Sequence, residues 1–211
     1  MFDDIKTALM AGNINGVKQL VEKALSEGRK AGEILEGGLI AGMDVIGNKF
    51  KCNEVFIPEV MIAAKAMHAG LDVLGPYLES GGVKPLAKVV IGTVKGDLHD
   101  IGKNIVGMMF RGAGFTVIDC GIDVAPKVFV AAVKKENPGL LAMSSLLTTS
   151  MGFMGEVISM LKKEGLGANV RTMVGGAPVT GDFAARIGAD GYAEDAGSAV
   201  EKARELLNIV R

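Results

Sequence analysis

The sequence predicts an α/β protein in which an N-terminal helical bundle precedes a doubly wound sheet of five parallel strands. Three observations predict it. Residues 1–83 contain no convincing strand, yet their apolar residues recur at helical spacing. From residue 84 onward, short β-rich runs alternate with amphipathic stretches, five of each. Between the two patterns lies Ser80-Gly81-Gly82-Val83-Lys84-Pro85, whose glycines and proline mark a linker. The expected domains are therefore 1–83 and 84–211.

In the first domain a short N-terminal helix comes first. A second pattern follows in Ile14, Val17, Leu20, Val21, Ala24 and Leu25, with Lys18, Glu22 and Lys23 on the opposite side. The next helix repeats Leu35, Leu39, Met43, Ile46 and Phe50. It also carries Gly37, Gly38, Gly42 and Gly47, each a propensity cost unless something packs closely there. Another helix starts at Pro58, a residue suited to a first turn, and is apolar nearly all round. Such a helix is expected inside a bundle of four or five.

The second domain offers strands at Lys88–Gly92, Thr116–Asp119, Leu140–Met143, Arg171–Val174 and Gly191–Ala193. Helices are expected near 101–112, 126–136, 150–164, 178–187 and 196–209. At this size the natural arrangement is flavodoxin-like, or Rossmann-like, with strand order 2-1-3-4-5.

Composition narrows the setting. A hydrophobic fraction of 49% supports a substantial core, and a formal net charge of −1 gives no electrostatic argument for nucleic acid or membrane. Cys52 and Cys120 lie far apart in no ligand-like spacing, as expected of reduced thiols. The N-terminal residues MFDDIKTALM lack the basic-then-apolar layout of a signal peptide. No apolar run approaches the length of a membrane span. A cytoplasmic location is the expectation.

The stretch with most chemical content is Gly96-Asp97-Leu98-His99-Asp100-Ile101-Gly102, on the turn after the first strand. Ligands bind at such carboxyl ends in open α/β sheets. A carboxylate that accepts from one imidazole nitrogen fixes the tautomer and leaves the other nitrogen free, as behind metal-bound histidines. An isolated histidine is more often structural, and an Asp-x-His pair also suits a hydrolase or a general base. No Gly-x-Ser-x-Gly elbow supplies a nucleophile, and His68 is the only other histidine, so a three-ligand zinc site lacks support. A metal at His99 would arrive inside a cofactor. Two further strand ends suit a large ligand: the hydroxyl-rich run Ser144 to Ser150, and Gly175-Gly176, where the missing Cβ atoms admit a bulky group.

Taken together, Asp97-x-His99-x-x-Gly102, Ser144-x-Leu146 and Gly175-Gly176 resemble the signature of cobalamin-binding domains. The intervening lengths agree, with 41 residues over 103–143 and 28 over 147–174. Upstream, Leu35-Glu36-Gly37, Met43, Val45-Ile46-Gly47, Phe50 and Phe56-Ile57-Pro58 resemble the helical cap module of methionine synthase. At this length the chain is similar to the stand-alone corrinoid proteins of methylotrophic and acetogenic methyltransferase systems.

The resemblance implies a cobalamin cofactor with cobalt held from below by His99, in place of the corrinoid's own base. It implies that Asp97 hydrogen-bonds His99 and that Ser150 completes a His-Asp-Ser relay. The displaced nucleotide tail would run past Gly102, Ser144, Leu146, Thr148, Gly175 and Gly176, closed over by the stretch Tyr192 to Ala196. Gly96, Leu98 and Asp100 would contact the cofactor beside His99. Phe50 and Ile57 would cover the methyl face, with Ile57 where methionine synthase has leucine, and Glu36 would be a cofactor-contacting acid. The implied role is a methyl carrier between a substrate:corrinoid methyltransferase and a methylcorrinoid:acceptor methyltransferase that serves tetrahydrofolate or a thiol. A reductive activation protein is the third implied partner. An adenosylcobalamin mutase shares the Asp-x-His-x-x-Gly motif but lacks this cap, and a cobalamin sensor would carry a DNA-binding module that does not precede the bundle.

Overall fold

The computed structural model describes residues 1–80 and 86–209. Most of the expected linker, and the boundary at residues 83 and 84, lies outside the described residues. The chain divides into two compact units, Met1–Pro85 with Arg111–Gly114, and Leu86–Phe110 with Phe115–Arg211.

The first unit is helical. Helix α1 spans Phe2–Met10 and α2 spans Ile14–Ser26, whose Asn13 side chain accepts from the Gly16 N–H at 2.9 Å and caps the first turn. The expected glycine-bearing helix is one continuous helical run in three parts: α3 (Ala31–Ile34), a π-helical segment (Leu35–Ile40) and α4 (Ala41–Lys51). The wide turn falls on the adjacent pair Gly37 and Gly38, where the backbone is least constrained.

Three glycines on this run are covered by α1. A Cβ on Gly37 would stand 3.2 Å from the Phe2 ring, one on Gly38 3.0 Å from Ile5, and one on Gly42 3.2 Å from Leu9. Close helix approach is what offsets their propensity cost.

Helix α5 (Ile57–Ser80) begins one residue before the expected proline, with the Glu59 carboxylate accepting from the Phe56 N–H at 3.0 Å. It is not enclosed as expected. Val60, Ala63, Ala66, Met67 and Leu74 are buried, but Met61 and Ile62 are 40% and 48% exposed, beside exposed Lys65 and His68. Small alanines line the buried side, where α1, α2, the π-helical segment and α4 pack against it.

Where α5 meets α2, a Cβ on Gly70 would lie 2.8 Å from Leu39 and 3.0 Å from Val17. Gly70→Val is therefore expected to destabilise this unit by roughly 1–3 kcal/mol through overpacking. Urea unfolding followed by far-UV circular dichroism checks it, and an unshifted midpoint would contradict the packing described.

The second unit is a five-stranded parallel sheet in the order β2-β1-β3-β4-β5, as the sequence predicts. The strands are β1 (Lys88–Thr93), β2 (Thr116–Asp119), β3 (Leu140–Ser144), β4 (Arg171–Gly175) and β5 (Gly191–Ala193). β1, β3 and β4 each run one residue longer than expected, bringing Thr93, Ser144 and Gly175 into one register row. The central strands are buried on both faces, which is why their sequences read as continuous apolar runs.

The helices are α6 (Ile101–Gly112), α7 (Pro126–Glu136), α8 (Gly152–Lys163), α9 (Gly181–Ile187) and α10 (Ala196–Leu206). Three are shorter than expected for local reasons. Ser150 is turned inward rather than into α8. The Thr180 hydroxyl caps α9 by accepting from Phe183 N–H at 3.2 Å, so Pro178 stays outside. At α10, Asp195 and Ser198 form a reciprocal capping box, and the helix ends at Leu206.

Side chains of α7 and α8 fill the core on one face, with Phe129, Val133, Met154, Val157 and Leu161 packed against Val90, Leu141 and Val174. A Cβ on Gly92 would reach 2.7 Å from the Phe129 ring, so β1 accepts only glycine there. The chain leaves β1 toward β2 on one side and returns to β3 on the other. The carboxyl ends of β1 and β3 therefore flank the topological switch point, where such sheets bind ligands.

Candidate functional site

Two loops meet at that switch point, residues 94–100 after β1 and residues 145–151 after β3. Asp97 is completely buried between them. Its Oδ1 lies 2.7 Å from the His99 Nδ1 and accepts from the His99 backbone N–H at 3.0 Å. Its Oδ2 accepts from the backbone N–H of Leu146 at 2.6 Å and of Leu147 at 3.2 Å. The hydroxyls of Ser150 and Ser145 donate to the same oxygen at 3.2 Å and 3.3 Å, and the two hydroxyls are 2.7 Å apart.

Burial alone would push the Asp97 carboxyl up, but the hydrogen bonds from His99, Leu146 and Leu147 outweigh it and hold it well below the usual carboxylate range. The group is an ionised, acceptor-only carboxylate. His99 Nδ1 must then be the donor, which leaves Nε2 as the nitrogen with the free lone pair.

His99 itself is presented outward, with its side chain 53% exposed while Asp97 beneath it has none. The Thr93 hydroxyl donates to the His99 carbonyl at 2.9 Å and ties the end of the loop to β1. These two loops and the start of α6 also expose apolar side chains: Leu98 is 68%, Ile101 67% and Leu146 44% exposed. Apolar side chains left bare beside a polar centre mark a binding surface.

The remaining predicted residues are distributed as follows. Gly96 has φ +79°, a left-handed conformation that requires glycine here. Asp100, exposed, accepts from the Asn104 side chain at 3.0 Å across the start of α6. Gly102 faces open space, with no atom within 4 Å of where a Cβ would stand. Ser144 ends β3 between Thr93 and Gly175, and Thr148 is exposed on the loop beyond.

Gly175 ends β4. Gly176, at φ +123°, sits so close to the Ser145 carbonyl that a Cβ would collide with it at 1.9 Å. Ala196 is buried in the first turn of α10. Glu36, Phe50 and Ile57 belong to the helical unit, with Glu36 exposed on the π-helical segment, Phe50 half-buried near the end of α4 and Ile57 opening α5.

Sequence reasoning missed Ser145 and Asp123. Ser145 lies within the hydroxyl-rich run, but a β3 buried on both faces offers no alternation to say which serine turns inward. Asp123 accepts from Gly96 N–H at 2.7 Å and carried no sequence signal beyond an aspartate in a turn.

Among the described residues no group of three or more His, Cys, Asp and Glu side chains could hold a metal ion. One outward imidazole nitrogen, a bare apolar rim and an open glycine beside it instead suit a large, flat metallocofactor with a single protein ligand.

Residues 87–201 match the family model described as a B12 binding domain, and residues 1–74 match a second model of the same description. This chain belongs to the B12-binding domain family. Its cofactor is cobalamin. It is 45% identical over 208 residues to dimethylamine corrinoid protein 2 of Methanosarcina mazei, covering 98% of this chain and 97% of that one. A cobalamin-binding protein of Desulfitobacterium hafniense DCB-2 superposes with TM-score 0.83 at 33% identity, covering 98% of both chains. The methanol:cobalamin methyltransferase complex MtaBC of Methanosarcina barkeri matches with TM-score 0.85 at 32% identity, over 98% of this chain and 79% of that one. In this B12-binding chain the outward nitrogen of His99 is placed to reach a metal held within a cofactor, and apolar Leu98, Ile101 and Leu146 stand exposed near it in the chain. Gly102 faces open space, whereas the absent Cβ positions of Gly175 and Gly176 face the Ala193 and Ser145 carbonyls. No helix among the described residues is long and apolar enough to cross a membrane.

Proposed function

We propose that this chain is the methyl-carrying corrinoid protein of a methyltransferase system, holding cobalamin base-off with His99 as the lower ligand to cobalt. The observation that carries the reading is the 2.7 Å contact between His99 Nδ1 and Asp97 Oδ1 beneath an outward-facing ring. Bound cobalamin supplies a cobalt centre that accepts and releases a methyl group.

The protein's part is to orient and to modulate. Asp97 holds the His99 tautomer and angle, and its negative charge makes the free imidazole nitrogen a stronger donor. Ser150, aided by Ser145, holds a hydroxyl proton at Asp97 Oδ2 and steadies the carboxylate. Ser144, Leu146, Thr148, Gly102, Gly175, Gly176 and Ala196 line the expected course of the nucleotide tail. The helical domain, residues 1–83, carries the residues expected of a cap: Phe50 and Ile57 to shield the methyl group from water until a partner enzyme engages, and Glu36 to contact the cofactor. Residues 84–211 form the cofactor domain.

Relatives named as a dimethylamine corrinoid protein and as part of a methanol:cobalamin methyltransferase complex support a carrier that works with a donor-specific methyltransferase. On our reading a second methyltransferase passes the methyl group to tetrahydrofolate or a thiol. A reductive activation protein restores cofactor that has lost its active oxidation state. The donor is set by the first partner.

The experiment loads the chain with methylcobalamin and adds a methylcorrinoid:thiol or methylcorrinoid:tetrahydrofolate methyltransferase with its acceptor. The absorption spectrum of the methylated cofactor should disappear with one of these two sets and persist with acceptor alone. Transfer by the chain alone, or none with either set, would contradict the carrier role.

A further inference from the structure

We propose that Asp123 is the positioning residue for the His99 loop, gripping its backbone at both sides of Asp97 from the neighbouring loop after β2. The proposal rests on the reading of His99 as the cobalt ligand, and extends it to what fixes where the ligand stands.

Asp97 anchors the carboxylate end of the pair, but that leaves the loop backbone to be placed. Two bonds from the 120–124 stretch reach it there. The Asp123 carboxylate accepts from the Gly96 N–H at 2.7 Å, and the Asp123 N–H donates to the Asp97 carbonyl at 3.0 Å. One residue thus takes a donor and supplies a donor across a single peptide unit, which fixes both position and orientation of the segment leading to His99. Asp123 achieves this at φ +51°, a left-handed conformation uncommon for a side-chain-bearing residue. Such a conformation persists where the surroundings dictate it.

The support beneath Asp123 is itself anchored, as a brace requires. Gly121 carbonyl accepts from Thr93 N–H at 2.9 Å and Val124 N–H donates to the Thr93 carbonyl at 2.9 Å, tying both flanks to β1. Asp119 accepts from Gly121 N–H at 2.8 Å and from the buried Lys103 ammonium at 2.5 Å. Lys103 lies in the first turn of α6, so this ion pair links the helix after His99 to the same stretch. The loop carrying His99 is therefore held from β1, from α6 and through Asp123.

The test compares wild type, Asp123→Asn and Asp123→Gly in two measurements. The first is amide hydrogen exchange of Gly96 in cofactor-free protein. The second is the nitrogen splitting in the electron paramagnetic resonance spectrum of cob(II)alamin bound to uniformly ¹⁵N-labelled protein. Asn keeps an acceptor oxygen and tolerates the left-handed conformation, whereas Gly relaxes the backbone but removes the acceptor. Gly96 exchange should quicken about tenfold or more in Asp123→Gly and stay near wild type in Asp123→Asn. A fraction of the cobalt in Asp123→Gly should lose its protein nitrogen, with the unfolding midpoint unchanged or raised.

If Asp123 only shapes a turn, glycine leaves both readouts at wild-type values, and that result would overturn the proposal. Exchange in Asp123→Asn as fast as in Asp123→Gly would overturn it too. Absence of protein nitrogen in the wild type would instead defeat the reading of His99, while Gly96 exchange still decides the role of Asp123.

Discussion

Asp97→Ala is expected to destabilise the cofactor domain by roughly 3 kcal/mol or more, since buried donors left without a partner cost about 1–3 kcal/mol each. The backbone N–H groups of His99, Leu146 and Leu147 and the hydroxyls of Ser145 and Ser150 all converge on this one carboxylate. The Leu147 carbonyl also lies within reach of the Ser145 and Ser150 hydroxyls, at 3.0 and 2.9 Å, so the donors left without a partner are the three backbone N–H groups. Asp97→Asn keeps the shape but places an amide N–H₂ against donors, so it should fall between alanine and wild type.

The acid dependence follows from the same bonds. The carboxyl is held below its usual range in the folded state, so its contribution is present above the unfolded-state value of about 3.9 and fades as pH falls through the native value. The stability gap between wild type and Asp97→Asn should accordingly narrow below about pH 4. Urea unfolding at a series of pH values measures it, and a gap that widens toward acid would show that Asp97 is not ionised in the folded protein.

His99→Ala is the second large effect, and it falls on the cofactor rather than on the fold. The ring is half exposed and its loop is held through backbone groups, so the variant should unfold close to wild type. Cobalamin should still bind, because the rim residues and the glycines of the crevice are separate from the imidazole. Affinity is expected to drop by at least the roughly 10–100-fold that follows when only a partner behind a metal ligand is lost. Added imidazole should restore the spectrum of the histidine-ligated form. A folded variant with no measurable cobalamin binding would show that the ligand, rather than the crevice, dominates affinity.

Much of this was legible in the sequence, for identifiable reasons. The β1 and β3 runs Lys88–Gly92 and Leu140–Met143 are largely apolar, too short for a helix and bounded by turn residues, which favours buried strands. Asp97 and His99 stand two residues apart on a turn, so their contact is local and follows from spacing. What lay beyond reach depends on tertiary neighbours. The π-helical turn at Leu35–Ile40 arises where α1 packs on Gly37 and Gly38. The exposed side of α5 was hidden because Met61 and Ile62 read as core by composition. Ser145 and Asp123 reach the site from sequence separations of 48 and 27 residues, and no periodicity connects them to Asp97 or Gly96.

The central claim is that a nitrogen of His99 is bound to cobalt. The most direct measurement is the electron paramagnetic resonance spectrum of cob(II)alamin, of natural isotopic composition, bound to uniformly ¹⁵N-labelled protein. If His99 is the lower ligand, the superhyperfine triplets given by unlabelled protein become doublets in labelled protein, and His99→Ala loses both. Triplets that survive labelling unchanged would mean that the cofactor's own base stays on cobalt, and would contradict the account.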